Sequence, residues 1–290
     1  LTIFTPTYNR AKTLEQTFKS LCRQQFFDFE WLIIDDGSTD NTTHTVQQFI
    51  AQAPFSIRYY QQEHGGKHRA YNHALALAMG DLFFAVDSDD YLPDGCLITI
   101  ANCKDKLLHN TRICGIIALK ESPDKKVLGK CFSNNIATTT LQELEKNGCN
   151  GERSFVFKTN IARQYPFPII DGEHFVTESV VYDRIGANWS FLTLNHSLTV
   201  CEYHTNGLSS NIYNIMMENP IGFMIYHYQR INNASNWCNA LRHALRYHAF
   251  RTRVGNQTEW SSYHGKYAWI VKLTAPIGIL GKCYYKRKCQ

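Results

Sequence analysis

The stretch FFAVDSDD, Phe83–Asp90, sets three acids in four positions directly behind an apolar run. Three further polar clusters carry residues fit for chemistry: TPTYNR from Thr5, DDGSTD from Asp35 and QQEHGGKH from Gln61. If the clusters meet, Asp35, Asp36, Asp87, Asp89 and Asp90 share one site. Like charges that close raise one another's pKa and cost stability. A divalent cation removes the conflict, and carboxylate oxygens are what Mg²⁺ or Mn²⁺ prefers. With Lys67 beside it, such a cation would neutralise phosphate. The competing reading, solvated acids on unrelated loops, suits one cluster better than four.

The elements between the clusters say that they do meet. LTIFT, EWLIID, SIRYYQQ and LFFAV read as short buried strands. Between them TLEQTFKSLCRQQ carries Leu14, Phe18 and Leu21 at helical spacing, and Thr13 with Gln16 predicts a capping box. HTVQQFIAQ presents Val46, Phe49 and Ile50 on one helical face, and KHRAYNHALALAMG reads as a third helix closed by Gly80. Alternating β and α elements predict an α/β fold with a mainly parallel sheet covered on both faces. In such sheets ligands bind outside the carboxyl ends of the strands. Each polar cluster follows a strand, so all four fall on one edge.

Other nucleotide devices are missing. No G-x-G-x-x-G follows a strand, and HGGKHRA lacks the spacing of a P-loop. A nucleotidyltransferase would carry a Gly-rich basic loop in the first β-α turn, and TPTYNRAKT is not one.

Together, TPTYNR, IIDDGSTD, GGKHRAYNHAL and DSDD resemble glycosyltransferase family 2, closely over the first hundred residues and more loosely to about residue 205. The resemblance implies a GT-A fold and inverting transfer of a sugar from a nucleotide diphosphate donor, usually a UDP-sugar. It implies that Thr5, Pro6 and Tyr8 line the base pocket and that Asp36 accepts from the base. Lys67 would lie in the loop approaching the donor, Asp87 and Ser88 near the ribose, and Asp89 on a Mn²⁺ or Mg²⁺ ion bridging the diphosphate. The acceptor would be a glycan or a lipid-linked saccharide. The division implied is a catalytic domain over 1–207, split at 90 into nucleotide-binding and acceptor-side halves, with a helical, basic extension over 208–290.

Inverting displacement needs a base to take the acceptor proton. The family often has an acidic pair at a helix start in this region. Here DGEHFVTES offers Glu178 followed by Ser179, so the second acid is absent. Glu178 is the expected base, with Glu173 and Asp183 as rivals. The missing acid also keeps open an inactive module that only binds a nucleotide sugar. His204, in CEYHTNGLSSN, is expected to complete the metal or diphosphate site, as a histidine there can in relatives.

Composition bounds the remainder. The chain has 290 residues, 44% hydrophobic, with net charge +5. That is mildly basic and not the dense patch of a nucleic-acid binder. Ten cysteines show no C-x-x-C pair, which predicts a reducing, cytoplasmic setting. LTIFTP is no signal peptide, and no apolar stretch reaches spanning length. In the last fifty residues only Glu259 opposes ten Lys and Arg. The mixture of aromatic, apolar and basic residues from Tyr267 on fits two readings, peripheral contact with the inner face of a membrane and a helical cap packed on the catalytic domain.

Overall fold

The computed structural model describes residues 1–133, 137–202, 211–255 and 258–277. The chain divides into two compact units, Leu1–Pro166 with Asn188–Glu202, and Phe167–Ala187 with Tyr203–Gln290. The segment 167–187, which carries Glu178, thus belongs with the helical unit, and the expected boundary at 207 lies outside the described residues.

The first unit opens with β1 (Thr2–Thr7), α1 (Leu14–Cys22), β2 (Glu30–Asp35), α2 (Thr42–Gln52), β3 (Ser56–Gln61), α3 (Lys67–Leu77) and β4 (Leu82–Ala85). It continues with β5 (Asp90–Tyr91), α4 (Cys96–His109), β6 (Ile113–Glu121), β7 (Thr138–Thr139), α5 (Leu141–Lys146), β8 (Arg153–Lys158), α6 (Thr159–Ala162) and β9 (Ser190–Cys201). The strands form one sheet in the order β3-β2-β1-β4-β8-β6-β9-β5, with β7 paired to β9. The four strands read from sequence are parallel to one another. Beyond them the sheet is mixed: β8 runs antiparallel to both β4 and β6, while β6 and β9 are parallel.

β1 and β2 are buried at every position, as apolar strands covered on both faces must be. On one face Ile3, Trp31 and Ile33 pack with Leu14, Phe18 and Leu21 of α1 and Val46 and Phe49 of α2. On the other, Tyr71 of α3 meets Phe4 and Phe83 edge-on at 5.8 and 5.2 Å. Burying side chains of this size contributes about 1.5–3 kcal/mol each.

Two local expectations fail for identifiable reasons. Thr13 is helical, and its hydroxyl donates to the Arg10 carbonyl at 3.3 Å, so no capping box forms. Gly80 does not end α3, which stops at Leu77. It serves close approach instead, because a Cβ there would lie 2.5 Å from the backbone of Leu1 and Thr2.

The second unit contains α7 (Ser179–Gly186), α8 (Ile212–Glu218), α9 (Pro220–Asn232), α10 (Trp237–Val254) and a helical stretch over 268–277. Pro220 opens α9, where its missing N–H costs nothing. The side chain of Asn236 caps α10 by accepting from Asn239 N at 2.9 Å. The fully buried stripe of α10 is Ala240, Ala244, Tyr247 and Phe250, in one cluster with Phe223, Met224 and Ile231 of α9, and Leu241 packs against it. Small alanines let the two helices approach closely. No helix among the described residues is long and apolar enough to cross a membrane.

Candidate functional site at the carboxyl edge of the sheet

Register brings the clusters level. Thr7 pairs with Asp35, and Asp35 with Gln61. Ala85 pairs with Phe4, so Asp87 emerges beside the end of β1.

Asp36 lies just past β2 and is 4% exposed. Its Oδ1 accepts from Gln62 Nε2 at 2.7 Å and from Gly65 N at 3.0 Å, and its Oδ2 from Gly66 N at 2.7 Å. His64 Nδ1 stands 2.9 Å from the same Oδ2. A carboxylate has about four acceptor sites, and the loop after β3 uses them. Asp36 therefore clasps that loop. Gly66 is needed for it, with φ of +94°, whereas a Cβ on Gly65 would only push aside the flexible Arg69 side chain, whose Cδ lies 2.4 Å away. Neighbouring Asp35 is fully buried, accepting from Ser38 N at 2.8 Å and from the Tyr59 hydroxyl. Burial and this carboxylate push the Tyr59 phenol up to about 12.

Of the three residues expected around a base, only Tyr8 reaches solvent. Thr5 is buried and its hydroxyl accepts from Trp31 Nε1 at 2.9 Å; Pro6 is buried within β1. Tyr8 is 43% exposed and stacks on His64 with ring centroids 4.2 Å apart. That pair is a ready π surface at the mouth of the clasped loop.

The segment after β4 is a tight turn, closed by Asp90 N donating to Asp87 O at 3.0 Å. Its side chains alternate. Asp87 and Asp89 are half-buried, while Ser88 and Asp90 are buried. Lys67, the first residue of α3, places Nζ 2.5 Å from Asp87 Oδ1. Burial pushes the Asp87 carboxyl up, but Lys67 and then Lys120 outweigh it and hold it below its ordinary range. Asp89 faces Arg10 at 4.0 Å. Asp90 turns inward to Lys120 Nζ at 3.4 Å, and its Oδ2 accepts from Cys201 Sγ at 3.2 Å. Burial raises its carboxyl to about 6; Asp87 and Asp89 add to this, and Lys120 and Cys201 oppose it.

The donor set suits a hard cation completed by a ligand. Asp89 offers carboxylate oxygens, with Asp87 and Asp90 already neutralised by lysines. Among the described residues no three His, Cys, Asp or Glu are grouped to hold an ion by themselves. Mg²⁺-type ions are commonly held by one or two carboxylates plus substrate phosphates, and that is the arrangement these residues fit. His204 lies outside the described residues.

Sequence reading missed Arg10, His64, Lys120 and Cys201. Arg10 and His64 stand inside quoted clusters and were legible as charged or aromatic neighbours. Lys120 and Cys201 close β6 and β9, and only the sheet order brings them to Asp90.

The three candidate bases lie in the helical unit, in different settings. Glu173 is 5% exposed and caps α9: its Oε1 accepts from Ile221 N at 2.6 Å and its Oε2 from Gly222 N at 2.8 Å. Burial raises its carboxyl despite those bonds. Asp183 is 8% exposed and lies 2.7 Å from Arg230 Nε of α9. Glu178 is half-buried at the N-cap of α7, without a side-chain cap bond.

The family profile described as Glycosyl transferase family 2 matches residues 2–167. Chondroitin synthase of Escherichia coli is 30% identical over 135 residues, 46% of this chain and 19% of that protein. The poly(ribitol-phosphate) beta-N-acetylglucosaminyltransferase TarS of Staphylococcus aureus is 34% identical over 92 residues, 31% of this chain and 16% of that protein. The matched stretches thus span less than a fifth of either relative. The fold resembles that of S. aureus TarS 1-349 in complex with UDP-GlcNAc, with a TM-score of 0.59 at 17% identity, over 97% of this chain and 80% of that one. It also resembles a mannosyltransferase from Pyrobaculum calidifontis in complex with GDP-Man and Mn²⁺, with a TM-score of 0.52 at 19% identity, over 98% and 74% of the two chains.

Proposed function

The chain belongs to glycosyl transferase family 2, and from that premise we propose that it moves a sugar from a nucleotide diphosphate donor, a UDP-sugar, to a hydroxyl of a glycan or lipid-linked acceptor, with inversion and with Mn²⁺ or Mg²⁺. The observation that carries the reading is the charge pattern at the turn after β4. Lys67 and Asp87 form a close pair, and Asp89 stands beside them as a half-buried carboxylate facing Arg10.

In this reading Tyr8 and His64 form one wall for the base, and the loop clasped by Asp36 holds that wall in place. Asp87, fixed by Lys67, would receive the ribose, and Asp89 would hold the metal. When bound, the ion acts as a Lewis acid on the leaving diphosphate. Lys67 and Arg10 add fixed positive charge where negative charge grows, which lowers the barrier without reorganisation. The sugar's anomeric carbon–oxygen bond to the β-phosphate breaks as the acceptor oxygen bonds to that carbon. The acceptor proton passes to Glu178. Glu173 caps α9, Asp183 pairs with Arg230, and Glu178 stands at the N-cap of α7. The reaction takes place in the cytoplasm, at the inner face of the membrane where the acceptor is lipid-linked.

Thermal unfolding with UDP, GDP, CMP or TMP, with and without Mn²⁺, tests the donor site. A ligand at 100 times its Kd adds about 2.7 kcal/mol. The expected result is a UDP shift that needs Mn²⁺ and is lost in Asp89→Asn. No metal-dependent shift with any nucleotide would overturn the reading. Glu178→Gln should keep binding and lose transfer. Wild-type protein that binds donor yet neither transfers nor hydrolyses it would be the binding module instead.

A further inference from the structure

The helical unit turns one apolar line outward. Over 268–277 the helix buries Ile270, Val271 and Thr274 and leaves Trp269 56%, Leu273 69% and Ile277 53% exposed. Their spacing of four puts them in a row along one side of a helix. Exposed Lys266 and Lys272 accompany them, and Lys266 Nζ sits 5.0 Å from the Tyr267 ring centroid. Large side chains this exposed, in line, mark a contact surface rather than scattered surface apolarity.

We infer that this face docks onto an anionic lipid bilayer, with Trp269, Leu273 and Ile277 entering the headgroup boundary and Lys266 and Lys272 meeting lipid phosphate. The charge of the region selects that occupant. After Glu218 the sequence has a single acid, Glu259, against eleven Lys and Arg. Tryptophan favours the interface because its ring is apolar and its N–H polar. Lysine stems lie along apolar surface while the ammonium stays in water. A second copy is a poorer occupant, since a two-fold contact through this face would set its lysines against one another. Among the described residues no helix is long and apolar enough to cross a membrane. The inference uses the proposed transfer only for its biological purpose. Vesicle binding is read without donor or acceptor, so either reading can fail alone.

The test is co-sedimentation of the whole chain with vesicles of phosphatidylcholine, alone or mixed with phosphatidylglycerol, at physiological salt. Wild type should bind the mixed vesicles and not the neutral ones. Lys266→Gln and Lys272→Gln should each weaken binding about fivefold. The combined variant Trp269→Ser, Leu273→Ser, Ile277→Ser should abolish it. These side chains already face solvent, so all variants should keep wild-type circular dichroism and melting. Absence of binding by wild type, or unchanged binding by the triple serine variant, would overturn the inference. So would a dimer that only the triple serine variant dissolves, because the face would then belong to a second copy.

Discussion

Lys67 and Asp87 meet at 2.5 Å across the end of the sheet, one opening α3 and the other following β4. A lysine in the first turn of a helix opposes the helix dipole, so its placement has to be explained by its partner. The pair positions Asp87 and leaves Asp89 for another cation. Lys67→Met should weaken UDP–Mn²⁺ binding by about tenfold or more, the worth of a charge-assisted hydrogen bond. It should cost stability by no more than about 1 kcal/mol, because both groups are about one-third exposed to water. The depressed Asp87 pKa adds stability that is present above the ordinary carboxylate pKa, about 4, and lost as pH falls below it. Titration calorimetry and urea unfolding on one variant separate the two effects.

Asp90 behaves in the opposite sense. Its folded pKa, about 6, is above the unfolded value, so its favourable contribution is full below about pH 4 and is lost as pH rises through 6. Asp90→Asn keeps an acceptor for Lys120 and Cys201 while removing the buried charge. The variant should gain up to about 2 kcal/mol near pH 7.5 and much less near pH 4.5. Urea midpoints at the two pH values check this; an equal gain at both would sink it.

Glu173 and Glu178 should separate cleanly. Glu173→Ala removes the acceptor for Ile221 N and Gly222 N and should destabilise the helical unit by about 0.5–2 kcal/mol, the cost of losing a cap. Glu178→Gln, which keeps the side chain's shape, should stop turnover at a smaller cost in stability. Melting curves and a transfer assay on both variants decide it. Turnover retained in Glu178→Gln would remove it from the reaction.

His227 and His243 face each other through Nδ1 atoms 3.0 Å apart between α9 and α10. Such a bond needs one donor and one acceptor, so at least one ring is neutral. Burial lowers both; His243, Arg246 and Arg230 add to it at His227, and Arg230, Arg246 and Arg242 add to it at His243, which falls to about 4. Stability from the pair is present above the ordinary histidine value near 6.5 and lost as pH falls toward the folded values. The helical unit should therefore weaken between about pH 6.5 and 4, and His243→Gln should reduce that acid loss by about 2 kcal/mol. Far-UV dichroism during urea unfolding at neutral and acid pH measures it.

What was legible in the sequence was what repeats locally. Apolar strands, helical stripes and polar clusters at strand ends placed β1 to β4 and the edge where Asp36, Lys67, Asp87 and Asp89 gather. Contacts between distant segments were not legible. Asp90 could be read only as a third acid, because its partners arrive from β6 and β9. Gly80 looked like a helix stop, since nothing in its neighbours announces that β1 passes against it.

The four-residue turn after β4 makes its acids non-interchangeable. Asp87 and Asp89 are half-buried at the open edge, while Asp90 is buried and pairs with Lys120. Each acid has its own partner: Lys67 for Asp87, Arg10 for Asp89, and Lys120 with Cys201 for Asp90. Three aspartates in a row of four thus behave as two outward letters and one inward letter, and their order carries information that their number does not.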